Sequence, residues 1–130
     1  MKMLVHKPRY QRRGGAVVYI AVARWRYGVK IGFSTVPVVR RAILEYENRT
    51  PVRLVYATDP IMDAVRVERR SHQILAAAAR GGEWFAVDIA TAKAVVRRAQ
   101  RDVANGWRWP RMLCHDVRLG NKFPTEKVAG

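Results

Sequence analysis

The twenty residues AVVYIAVARWRYGVKIGFST, Ala16–Thr35, decide how this chain folds. AVVYIAV (residues 16–22) is a short apolar run rich in β-branched side chains, the composition of a buried strand. ARWRYG makes a tight connection, and GVKIGF (residues 28–33) reads as the second strand of a hairpin. A secretory leader is the rival reading, since Arg12-Arg13-Gly14-Gly15 precede the run and Ala21-Val22-Ala23 mimics a cleavage site. The apolar stretch is at the short limit for that, and Arg24-Trp25-Arg26 follows at once, so the strand is preferred.

Outward from the hairpin, Ser34-Thr35 followed by Pro37 is a helix-start signal. The helix is expected to bury Val39, Ala42, Ile43 and Tyr46, with Arg40 on the flank of that stripe and Arg41 outside it. VRLVYAT (residues 52–58) reads as a third strand, and Asp59-Pro60 breaks the chain before a helix over about residues 61–79. Gly81-Gly82 ends that helix, and EWFAV (residues 83–87) reads as a fourth strand. The last helix, about residues 90–104, aligns Ala92, Val95, Val96, Ala99 and Val103 on one face, and Asn105-Gly106 closes it. The order β-β-α-β-α-β-α predicts an α/β (α+β) fold, a small antiparallel or mixed sheet flanked by helices. Residues 16–106 form the domain, between a basic arm (1–15) and a basic, aromatic extension (107–130).

The 130 residues carry 25 Lys and Arg against ten Asp and Glu, a net charge of +15. So large an excess says little about fold and points to a polyanionic partner. The charge is uneven. Residues 61–89 balance four bases against four acids, while the segments on either side are strongly positive. That neutral segment is where chemistry rather than adhesion is expected. One cysteine, Cys114, excludes an internal disulfide and suits a reducing compartment, so a cytoplasmic location is expected in a bacterial cell or a phage-infected host. His115 beside it does not make a zinc site without further ligands. No apolar run reaches the ~18 residues of a membrane span.

Within the neutral segment, the helix has an apolar stripe of Ile61, Val65, Leu75 and Ala79. Glu68 and His72 stand on its centre line, one turn apart, while Arg66, Arg69, Arg70, Gln73 and Arg80 fall on the opposite side. An unpartnered buried carboxylate costs several kcal/mol, so Glu68 needs compensation. Three explanations remain: a structural bond to His72 or an arginine, a cleft in which Glu68 holds a hard cation, or a different helix phase.

Taken in order, VVYIA, VKIGFST, an Arg three residues beyond a Pro, VERRSH and GEWF resemble the GIY-YIG nuclease superfamily. The resemblance spans about residues 16–89. It is nearest to a phage and bacterial branch, often described as DNA-binding, with KIG in place of YIG and an E-x-x-x-H tail before E-W-F. It implies a small antiparallel sheet flanked by helices and a metal-dependent endonuclease hydrolysing phosphodiester bonds. Tyr19 then matches the first motif tyrosine and Lys30 replaces the second. Arg40 matches the helix arginine, and Glu68 matches the single carboxylate that binds the metal, Mg²⁺ or Mn²⁺. Tyr19 would orient or deprotonate the attacking water. His72 would bind the metal, orient the carboxylate or accept the proton. Arg40 would neutralise charge on the phosphoryl oxygens.

Each residue also has an ordinary reading. Tyr19 suits a core, Lys30 a solvated strand, and Arg40 pairs within its own helix with Glu47. Glu83 caps the turn after Gly82, while Trp84 and Phe85 fill the core. Leu44 and Glu45 stand where many family nucleases carry a histidine. The alternative is therefore a non-catalytic nucleic-acid-binding module on the same fold. DNA is the expected partner, with RNA as the second choice. Arg24, Arg26, Arg41, Arg97, Arg101 and Arg108 are the expected nucleic-acid contacts, and Trp107-Arg108-Trp109 offers either base stacking or simple closure of the domain.

Overall fold

The computed structural model describes residues 15–108. The arm before residue 15 and the extension beyond Arg108, with Trp109, Cys114 and His115, lie outside the described residues. Strand β1 (Val17–Ala23) is followed by β2 (Val29–Ser34), helix α1 (Pro37–Asn48) and β3 (Val52–Ala57). Helix α2 (Ala64–Ile74), a 3₁₀ turn (Ala76–Ala78), β4 (Trp84–Phe85) and helix α3 (Ile89–Ala104) complete the domain. The four strands form one antiparallel sheet in the order β3-β1-β2-β4. Central β1 is covered on both faces, which is why its sequence is continuously apolar rather than alternating. No helix among the described residues is long and apolar enough to cross a membrane.

The hairpin register places Ile20 opposite Ile31 and Tyr19 opposite Gly32. Val18, Ile20, Val29 and Ile31 pack on one side with Ala64, Val67 and Ile74 of α2 and with Ala92, Val95, Val96, Ala99 and Val103 of α3. Those five α3 residues are the ones its periodicity predicts. Asp88 caps that helix by accepting from the Thr91 N–H at 2.7 Å. Tyr19, Ala21 and Ala23 form a smaller cluster on the other side with Leu44, Val52 and Trp84. The sheet thus lies between α1 on one face and α2 with α3 on the other.

Three expectations need correction. Helix α1 is rotated from its predicted phase. Leu44 is its buried residue, whereas Val39 is 54%, Ile43 40% and Tyr46 86% exposed, and Ala42 is exposed as well. The polar side faces inward because it has bonds to make there. Glu45 accepts from the Val52 N–H at 3.0 Å and from Arg41 at 2.7 Å, and Asn48 Nδ2 donates to the Leu44 carbonyl. Leu44→Ala is therefore expected to cost about 2 kcal/mol. Ile43→Ala and Tyr46→Ala should stay within about 0.5 kcal/mol in urea denaturation.

Helix α2 is shorter than predicted, and its core line is Ala64, Val67, Ser71 and Ile74; Val65 is only half-buried and Ala79 is exposed. Arg70 and Gln73 are not on a solvated face. The Arg70 guanidinium reaches Asp102 of α3 at 2.7 Å, Gln73 at 2.7 Å, and lies over the Trp107 ring. A helix held between a sheet and a second helix is buried nearly all round, so a single-stripe reading fails. The fourth strand shrinks to two residues. Trp107 packs against the main core, which gives this indole the closing role.

Candidate active site

The shortness of β4 creates the site. It pairs with Val29 and Lys30 only, so the outer edge of β2 runs on without a strand beside it. Its backbone groups are satisfied another way, as buried polar groups must be. The Ile31 N–H donates to the Glu83 carbonyl at 3.2 Å, the Ile31 carbonyl accepts from His72 Nε2 at 2.7 Å, and the Phe33 N–H donates to the Glu68 carboxylate. Two side chains of α2 thus complete the sheet edge. This is why an acid and an imidazole, four residues apart, point inward.

Around this edge the other polar groups converge. The Glu83 side chain pairs with Lys30 Nζ at 2.9 Å. Glu68, His72 and Glu83 each bring one potential ligand atom, all within 4.8 Å of one another. On the α1 face of the sheet, Arg40 Nε donates to the Tyr19 hydroxyl at 3.4 Å. Gly32, opposite Tyr19, is a necessity of space, since a Cβ there would sit 2.5 Å from the Tyr19 oxygen.

The electrostatics follow from burial. Glu68 is 8% exposed, and burial first, then the Glu83 carboxylate, push its carboxyl up to about 8. A second carboxylate so close disfavours the ionised form of Glu68, and a bound cation reverses that. Burial also lowers His72, so its ring is neutral at pH 7. Because a carbonyl only accepts, Nε2 carries the ring proton, and Nδ1 keeps a lone pair. Burial raises Tyr19 against the opposing pull of Arg40, so the phenol keeps its proton.

Tyr19, Lys30, Arg40, Glu68 and His72 are therefore brought together. Arg40 turns to Tyr19 rather than making its main contact with Glu47. Lys30 is buried and paired, not solvated. Glu83, read from the sequence as a cap on the turn after Gly82, instead pairs with Lys30 and stands beside Glu68 and His72. The GEWF motif marks the residue, but the register that sets it beside Ile31 is tertiary. Arg24 and Arg26 lie on the β1–β2 turn, both exposed. Arg41 is half-buried and bound to Glu45, holding α1 to β3. Arg97 and Arg101 are exposed on α3, across the sheet from Tyr19, and Arg108 is exposed beyond it.

The family model described as T5orf172 domain matches residues 16–100. No curated protein and no solved structure matches the chain.

Proposed function

This chain belongs to the T5orf172 domain family, a phage-associated class of nuclease-like domains, and from that premise we propose that it is a GIY-YIG-type endonuclease that cleaves DNA with a divalent metal. The observation that carries this reading is the convergence of Glu68, His72 and Glu83 beside the Tyr19–Arg40 pair.

The donor set fits a divalent ion: two carboxylates and an imidazole, one carboxylate buried at a cost that a cation removes. Glu68, His72 and Glu83 would hold it, and the imidazole favours Mn²⁺ over Mg²⁺ at low concentration. Such an ion supplies polarisation of the phosphoryl oxygen and stabilisation of the leaving group. The protein's own groups do the rest. His72 donates Nε2–H to the Ile31 carbonyl, which turns its one lone pair, on Nδ1, to the ion; spent as a ligand, that lone pair is not the base for the water's proton. Tyr19, with its pKa raised, acts as a hydrogen-bond donor to the water or a phosphate oxygen rather than as a base. Arg40 neutralises charge gathering on the equatorial oxygens. Lys30 holds Glu83 in place.

Supercoiled plasmid incubated with the protein and Mg²⁺ or Mn²⁺ is expected to be nicked, and chelation to stop it. Arg40→Ala is expected to slow nicking by about 10²-fold, with gel retardation of the DNA preserved. The Lys30–Glu83 ion pair, which already places a cation beside the carboxylates, favours a second reading as a non-catalytic DNA-binding module. Plasmid that stays intact with either metal while still being retarded would establish that reading instead.

A further inference from the structure

The β1–β2 turn is built like a contact for unpaired bases. Trp25 is 87% and Tyr27 77% exposed, with Arg24 and Arg26 beside them. Trp25 has φ of 67°, the left-handed region that a bulky L-residue enters at a cost, yet its indole gains little burial in return. Glycine would serve the turn better. Among the described residues the indole's one ring contact is the Arg24 guanidinium 5.1 Å over one face, and strain kept for so small a packing reward is a pointer to function.

The tip is not loose. The Arg24 N–H donates to the Pro51 carbonyl and its own carbonyl accepts from Thr50 Oγ1, both at 3.0 Å, and the Arg26 N–H closes the turn onto Ala23. The Arg26 guanidinium lies 4.3 Å over the Trp84 ring and reaches Asn48. Trp84 pairs with Lys30, so the turn is coupled by packing to the active site. Beside Tyr27 lies a depression of about 460 Å³ lined by Val22, Val29, Val87, Ile89 and Asp88. Its one charged group is an acid, which repels a phosphate and accepts an apolar base face.

We propose that Trp25 and Tyr27 stack on unpaired bases, so that the preferred substrate is DNA in which a single-stranded tract adjoins a duplex. Arg24 and Arg26 hold the backbone of that tract, in keeping with the chain's positive charge. Five residues, four of them in β1, separate Tyr19 from Trp25, a span of at most about 20 Å at ~3.3 Å per residue. The inference deepens the nuclease reading but concerns binding alone.

The test is fluorescence anisotropy in EDTA, where no cleavage occurs, so failure of the nuclease reading leaves it intact. The probes are a blunt duplex and the same duplex carrying a single-stranded extension of about eight nucleotides. Trp25→Ala with Tyr27→Ala is expected to weaken binding of the extended duplex by about 10–100-fold and of the blunt duplex by less than about 2-fold. Its salt dependence stays unchanged because no charge is lost, whereas Arg24→Ala with Arg26→Ala flattens the slope on both probes. Trp25→Phe retains binding, and Trp25→Gly raises the melting temperature while weakening it. Equal loss on both probes, or none on either, overturns the proposal.

Discussion

In Glu68→Gln, metal-dependent cleavage is expected to fall by about 10³-fold, while DNA binding persists and the metal-free protein becomes more stable at alkaline pH. A merely structural carboxylate would behave otherwise. The glutamine amide still accepts the Phe33 N–H, so the sheet edge stays closed, but the ligand charge is gone. Stability supplies the independent reading. The Glu68 carboxyl sits at about 8 in the folded protein against an ordinary value of 4.5. The folded state therefore holds a proton that the unfolded chain has released across that interval. Stability from this group is complete below 4.5 and is lost as pH rises to 8. His72, lowered by burial, acts in the opposite sense below its ordinary 6.5, so the window from 6.5 to 8 belongs to Glu68. Urea denaturation in chelator should show the wild type losing about 2 kcal/mol across it; Glu68→Gln should stay level. Added Mn²⁺ should restore wild-type stability at pH 8 and leave the variant unchanged. A wild type whose stability is level between pH 6.5 and 8, with no response to metal, would remove the reason for placing a cation there.

Gly32→Ala should be the most damaging small substitution outside the ligands. The new Cβ would lie 2.5 Å from the Tyr19 hydroxyl oxygen and 2.7 Å from Cζ, distances that cannot stand. Tyr19 is 1% exposed and its ring packs in a cluster with Leu44 and Trp84, so the ring cannot retreat. Either the strands part or the phenol leaves Arg40. The expected result is a loss of about 3 kcal/mol together with about 10²-fold in cleavage rate, since misplacement by an ångström is enough. Combining Gly32→Ala with Tyr19→Leu removes the hydroxyl oxygen, Cζ and Cε2, the three atoms the new Cβ would meet. The pair should recover much of the stability and none of the activity, a non-additivity that a thermal melt and a nicking assay read separately. Additive losses in the double variant would place the strain elsewhere.

Most elements of the fold were legible because their signals are local. β1 is apolar along its length as a strand covered on both faces must be, and α3 shows a clean stripe because it has one buried side. The convergence of Tyr19, Lys30, Arg40, Glu68 and His72 was legible through ordered motifs rather than periodicity. The phases of α1 and α2 were not. In α1 the inward side carries Arg40, Glu45 and Asn48, whose bonding partners are on other elements, so polarity misreports which face is buried. In α2 burial on opposing sides erases the stripe, and Arg70 is hidden only because Asp102 of α3 receives it.

From the sequence alone came the hairpin, the order of elements, the positive charge and the residues worth watching, all properties of neighbours along the chain or of the chain as a sum. Tertiary structure decided that β4 stops after two residues, that Glu68 and His72 close the edge it leaves, and that Glu83 joins them. Those facts depend on which strand lies beside which, and hydrogen bonds spanning tens of residues leave no local trace.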